Sequence, residues 1–214
     1  FDGKIPYKLF FTGQHKDLLS HVKGDIRRLK IKDNNNRLDS IVSSIMNNDD
    51  VFEGIDSVLV QGDTTSVFSL ALAAFHRKLK VIHLEAGLRT YDMDNPYPEE
   101  LNRQMTSRIA NIHLCPTQEA YDNLIREKVS GQKYVVGNTV LDNLIDKQVS
   151  YENKVIITMH RRENHHNMDD WFKEIDFLAK ENSNLQFVLP IHPNPNVKKH
   201  QHLLKYVNVV PPMD

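Results

Sequence analysis

The chain has 214 residues, 40% of them hydrophobic and 26% charged, which is enough apolar material for a globular core of one large domain or one domain with part of another. With 27 basic against 28 acidic residues its net charge is −1; this argues against a nucleic-acid face or a polybasic membrane patch, so any anionic ligand must be held by a few placed groups. The single cysteine, Cys115, excludes an internal disulfide and fits a reducing, cytoplasmic setting, and no apolar run approaches the ~18 residues of a membrane span.

Apolar runs rich in β-formers alternate with helical patterns along the chain. The opening FDGKIPYK is no signal peptide and reads as a start inside a longer product. YKLFF is a strand followed by the helical TGQHKDLLSHV, and residues 34–50 predict a further helix. SVLVQ precedes a helix over about 64–78, KVIHLEA one over about 98–109, IHLCP the helix TQEAYDNLIREKV, and KYVVG the helix NTVLDNLIDKQ. A polar stretch near residues 145–153 separates these from a second series: KVIITMH, MDDWFKEIDFLAKEN, LQFVLPIH, NPNVKKHQHLL and VNVVPP. Short continuous apolar strands, each followed by an amphipathic helix, predict parallel βαβ units. The polar break predicts a domain boundary, with residues 1–148 in one domain and 149–214 in the start of another. A parallel sheet ending on VNVVPPMD lacks a covering helix, so the second domain is expected to continue.

In open parallel α/β sheets, ligands bind beyond the carboxyl ends of the strands. Those ends read Thr12-Gly13-Gln14-His15, Gln61-Gly62-Asp63-Thr64, Glu85 to Arg89, Gly137-Asn138-Thr139, His160 to Asn164, and His192 to Asn196. Five of the six carry a charged residue or a histidine, a concentration that points to a site. Asp63 in QGDTTS also suits a turn or helix cap, and Gly62 permits close backbone approach. In NPYPEELNR, helix-start chemistry accounts for one glutamate and less well for the pair Glu99 and Glu100. His160 and His192 end buried strands and suit a phosphate or sugar hydroxyl; Arg161 and Arg162 offer forked donors for a diphosphate. His160, His165 and His166 share a loop, but with no helical His-x-x-x-His and no cysteine partner they make a weak metal site. His200 and His202 read as solvated helix residues. A metallophosphoesterase would need a second acidic residue after GDTT and a His-Glu after GNTV, and neither is present.

The motifs QGDTTS, HLEAGLRT, PYPEELNR, GNTVLD, HRREN and HPNPNV, in this order, resemble those of the non-hydrolysing bacterial UDP-N-acetylglucosamine 2-epimerases. The resemblance runs from FTGQH to the end of the chain, and EAGLRT followed by P-x-PEE-x-NR is its most specific part. It implies two Rossmann-like α/β domains of GT-B type, parallel sheets flanked by helices, with the second domain incomplete here. The family's GTRPE-type loop would precede residue 1, and its SGG-x-QEEA and TERPE segments would follow residue 214.

The activity implied is reversible C2 epimerisation of UDP-GlcNAc to UDP-ManNAc for surface polysaccharide synthesis. It proceeds by anti elimination of UDP, a 2-acetamidoglucal and re-addition, without metal or other cofactor. Asp63, Glu85 and Glu99 match the family's catalytic carboxylates, and His160 a histidine beside the phosphates. Arg89, Arg103, Arg161, Arg162, Asn138 and His192 fall in substrate-binding positions, with Arg89 and Arg103 suited to orienting the carboxylates. Gln14, His15 and Glu100, with Arg161 or Arg162 and His192, lie in motifs associated with a second, activating UDP-GlcNAc. A cytoplasmic homodimer is the implied assembly. The rivals are a truncated, non-catalytic UDP-sugar-binding module and a GT-B UDP-glycosyltransferase; the second needs fewer acid/base groups around one sugar position than this sequence supplies.

Overall fold

The computed structural model describes residues 6–12, 26–32, 35–144, 148, 150–159, 167–191 and 194–212. The chain forms two units, Phe1–Asp146 and Lys147–Asp214.

In the first unit a short parallel pair, β1 (Leu9–Phe11) and β2 (Ile26–Arg28), accompanies a four-stranded parallel sheet. That sheet runs β3 (Ser57–Gln61), β4 (Lys80–Leu84), β5 (Ile112–Cys115), β6 (Gln132–Val135), with spatial order equal to chain order. Crossovers are α2 (Thr65–His76), α3 (Glu99–Ile109) and α4 (Gln118–Arg126), while α1 (Arg37–Met46) precedes the sheet. Helices α1, α2 and α4 start on a side-chain cap. Asn36 Oδ1 accepts the Leu38 N–H at 2.9 Å, and Thr117 Oγ1 accepts that of Ala120 at 3.1 Å. In α2, Ala71, Ala73 and Ala74 are fully buried, and such small side chains let a helix lie close against its neighbours. Ile41, Ile45, Val60 and Val81 fill one core; Ala86, Cys115, Ala120 and Leu124 form another.

The second unit holds β7 (Lys154–Ile156), α5 (Met168–Glu181), β8 (Gln186–Pro190), α6 (Pro195–Lys198) and β9 (Asn208–Val210). Its strands are parallel in the order β7-β8-β9, over a core of Met168, Phe172, Leu189 and Val197.

Four local readings change. Strand β2 was not legible, because DIRRL has no apolar run and Arg27 and Arg28 are exposed. NPNVKKHQHLL is no continuous helix: α6 is one turn, and a 3-10 turn at Gln201–Leu203 brings Leu203 and Leu204 onto the core before β9. His200 is not solvated; its side chain is 15% exposed and its Nδ1 pairs with Asp169. The described part of NTVLDNLIDKQ is likewise a 3-10 turn, Thr139–Asn143.

Candidate active site

Three carboxylates meet beyond the carboxyl ends of β3 and β4. Asp63 follows the β3 turn, Glu85 follows β4, and Glu99 opens α3. The β3 turn is clamped to β4: the Gly62 N–H donates to Leu84 O at 3.0 Å, and His83 Nε2–H donates to Gly62 O at 2.8 Å. Gly62 has φ +79°, a conformation that glycine takes without steric penalty. His83 is fully buried, and burial brings its pKa down to about 4, so at neutral pH it serves as an uncharged donor. Glu85 takes the left-handed region with φ +64°, and its Oε1 accepts from Gln61 Nε2 at 2.8 Å.

An ion-pair chain links Asp63 to α3. Asp63 Oδ2 lies 2.8 Å from Arg103 Nη2, and Arg103 Nε stands 3.5 Å from Glu100 Oε2. Burial raises the Asp63 pKa above its ordinary value; Arg103 opposes that shift, and the charges of Glu99 and Glu85 add to it. Asp63 therefore keeps its proton to higher pH than an exposed aspartate would. Glu99 sits in the first turn of an eleven-residue helix, where the macrodipole favours a negative charge. Carboxyls with different proton affinities at one edge can serve as acid and base for one substrate.

Glu100 behaves differently from its neighbour Glu99. It is fully buried and accepts the Thr90 N–H at 3.0 Å, the Tyr91 N–H at 3.1 Å and Gln104 Nε2 at 2.7 Å. Burial pushes its carboxyl up, but the hydrogen bonds from Gln104, Thr90 and Tyr91 outweigh this and hold it below its ordinary value. The expectation that Glu100 faces an activator finds no accessible carboxylate. Arg89 also departs from expectation. Its side chain is 0% exposed, with Nε and Nη2 on the Glu127 oxygens at 2.7 and 3.0 Å and Nη2 on Ser107 Oγ at 3.0 Å. It touches neither Glu85 nor Glu99 and ties the 85–98 loop to α3 and the end of α4.

Two further contacts anchor this loop and its helix: Asn123 Nδ2 donates to Gly87 O at 3.0 Å, and Asn102 Nδ2 to Thr65 Oγ1 at 3.4 Å. At Gly87 a Cβ would lie 2.1 Å from Ala120 O, so only glycine fits there. Asn138 caps the turn after β6, its Oδ1 accepting the Val140 N–H at 3.1 Å. Gln14, His15, His160, Arg161, Arg162 and His192 lie outside the described residues. Gln61, His83, Asn102, Asn123 and Glu127 were not singled out by sequence reasoning. Gln61 stood in a strand-end motif, whereas Glu127 carried no local signal. In the second unit, a cavity of about 470 Å³ lined by Asn153, Gln186, Tyr206 and Asn208 opens at the starts of the strands, the edge opposite to that carrying ligands in such sheets.

Comparison with known proteins gives a consistent result. The family model described as UDP-N-acetylglucosamine 2-epimerase matches residues 2–214. The UDP-N-acetylglucosamine 2-epimerase of Neisseria meningitidis is 40% identical over 96% of this chain and 63% of its own length. That of Bacillus subtilis is 38% identical over 89% of this chain and 56% of its own. Among solved structures, a Listeria monocytogenes protein described as a putative UDP-N-acetylglucosamine 2-epimerase superposes with TM-score 0.80 at 33% identity, covering 90% of this chain and 56% of that one. The Neisseria meningitidis UDP-GlcNAc 2-epimerase bound to UDP-GlcNAc superposes with TM-score 0.76 at 35% identity, covering 90% and 59%. The chain thus spans 56–63% of the length of these curated relatives.

Proposed function

The chain belongs to the UDP-N-acetylglucosamine 2-epimerase family, and we propose that the protein of which it forms part interconverts UDP-GlcNAc and UDP-ManNAc by elimination and re-addition of UDP. The C2 proton of the sugar is not acidic, because the acetamido group does not stabilise a carbanion there. Departure of UDP breaks the C1–O bond and gives C1 cationic character, which acidifies C2–H. A carboxylate takes that proton as the C1–C2 double bond forms, leaving 2-acetamidoglucal and UDP. Return of the proton to the opposite face of C2, with UDP re-adding at C1, completes the inversion and restores the balance of atoms.

The observation that carries this reading is the meeting of Asp63, Glu85 and Glu99 at one sheet edge with one of them biased toward its protonated form. Such a set supplies an acid and a base together, on groups whose positions are set before substrate arrives. Arg103 keeps Asp63 oriented at 2.8 Å. Asn138, Arg161, Arg162, His160 and His192 are assigned to the nucleotide and its phosphates, and Gln14 and His15 to a second UDP-GlcNAc. The product serves surface polysaccharide synthesis, in a cytoplasmic homodimer. The test uses the intact protein with UDP-GlcNAc in D₂O, followed by proton NMR. Deuterium entering C2 together with UDP-ManNAc signals is the expected result. A C2 proton that stays in place while UDP-GlcNAc binds would overturn the reading in favour of a binding module.

A further inference from the structure

We propose that Gln61 is a positioning residue for Glu85: it holds one carboxylate oxygen so that the other is presented to the reaction. This rests on the epimerase reading above and adds a residue to its machinery. Gln61 is the last residue of β3 and stands in register with Leu84. In a pleated strand successive side chains alternate between faces, so a continued β4 would send Glu85 to the face of His83 and away from that of Leu84 and Gln61. The left-handed turn at Glu85, φ +64°, ends that alternation, and its Oε1 meets the Gln61 amide at 2.8 Å. A non-glycine residue in that region persists where its surroundings hold it. Here they do. The backbone just after Gln61 is clamped to β4 through Gly62 N–H to Leu84 O at 3.0 Å and His83 Nε2–H to Gly62 O at 2.8 Å, so the amide starts from a fixed point.

Among the described residues, the one hydrogen bond to this carboxylate falls on Oε1. A Cβ on Gly62 would stand 3.5 Å from Glu85 Oε2, and the glycine leaves that space open. Oε1 is occupied by a donor and Oε2 faces a bare backbone, so the two oxygens of one carboxylate differ in role. An amide also suits this site chemically. It donates to an ionised carboxylate and favours that form without adding a charge beside Asp63 and Arg103.

The test measures C2 deuterium exchange by the intact protein across pH, with kcat and KM for UDP-GlcNAc, in wild type, Gln61→Met and Gln61→Glu. Methionine keeps the length without the donor; glutamate keeps the shape and replaces the donor with an acceptor. The expected result for Gln61→Met is a kcat lower by about ten- to a hundred-fold with KM within about two-fold of wild type. Gln61→Glu lowers kcat at least as far, because it sets an acceptor against the Glu85 oxygen, and Gln61→Asn, an amide one methylene shorter, recovers part of the rate lost in Gln61→Met. Gln61→Asn is compared with wild type by the same criteria if Gln61→Met fails to fold. Folded variants with wild-type kcat overturn the proposal, as does a Gln61→Asn variant no faster than Gln61→Met, since a loss of packing alone is not repaired by restoring an amide donor. Absence of exchange in the wild-type protein would instead overturn the epimerase reading itself.

Discussion

Both units of the chain bury a carboxylate against two consecutive backbone N–H groups, yet the two sites do different things. In the first, Glu100 at the start of α3 receives the N–H groups of Thr90 and Tyr91, at the end of the sheet where Asp63, Glu85 and Glu99 gather. In the second, Asp176 in the middle of α5 receives those of Lys205 and Tyr206 at 2.6 and 2.7 Å, just before β9 begins. The second is a staple at the edge where the strands begin. The first is a staple that also carries a functional loop. A buried acid in a conspicuous motif is therefore weak evidence for chemistry. Its accessible neighbour is the better candidate, as Glu99 is beside Glu100.

The two staples also differ in how their oxygens are used. Glu100 engages both: Oε1 serves Tyr91 and Gln104, and Oε2 serves Thr90 and faces Arg103. Asp176 takes both backbone donors on Oδ1. Replacing Glu100 with Gln puts an amide N–H₂ against at least one of these donors and removes the buried counter-charge of Arg103. It is expected to cost about 3 kcal/mol in a urea titration and to lower epimerase turnover, because the 85–98 loop loses its tether. Asp176→Ala strands two N–H groups and is expected to cost about 2 kcal/mol with turnover of the intact protein unchanged. Asp176→Asn keeps the oxygen that matters, so its cost should be nearer about 1 kcal/mol. Equal losses for Glu100→Gln and Asp176→Asn would break the distinction.

A further effect is in pH. The unfolded chain protonates His83 near its ordinary 6.5, while the folded one refuses a proton until about 4. Acid therefore favours the unfolded state across that window, and His83 weakens the first unit as pH falls through it. Glu100 adds a second loss: its stabilisation is complete above its ordinary 4.5 and disappears as pH drops through the lower folded value. Melting temperatures of wild type and Glu100→Gln should converge below pH 4.5. A constant gap would show that the charge of Glu100 is not what holds the loop.

Much of the architecture was legible because it rests on local pattern. Runs such as SVLVQ and KVIHL are short, continuous and largely apolar, as parallel strands are, and TSVFSLALAAFH and QEAYDNLIR each follow a capping threonine, Thr64 and Thr117. The strand-end positions of Asp63 and Glu85 followed from the same alternation. What failed had no local signal. Strand β2 is polar and three residues long, and the NPNVKKHQHLL segment gave up helical periodicity to cover the second core.

From the sequence alone came the alternation of strands and helices through most of the chain, the edge at which polar residues collect, and a family resemblance that the comparisons support. Only the tertiary structure separated roles among similar residues. Arg89 and Arg103 stand in successive motifs, HLEAGLRT and PYPEELNR, yet one is sealed against Glu127, thirty-eight residues away, and the other reaches Asp63, forty residues back. Glu99 and Glu100 are adjacent, yet a helix turns successive residues by roughly 100°, so one faces the site while the other is buried beneath the loop. Ion-pair partners distant in the chain, and the direction in which a helix lies on its sheet, are set by packing, and local pattern carries no record of them.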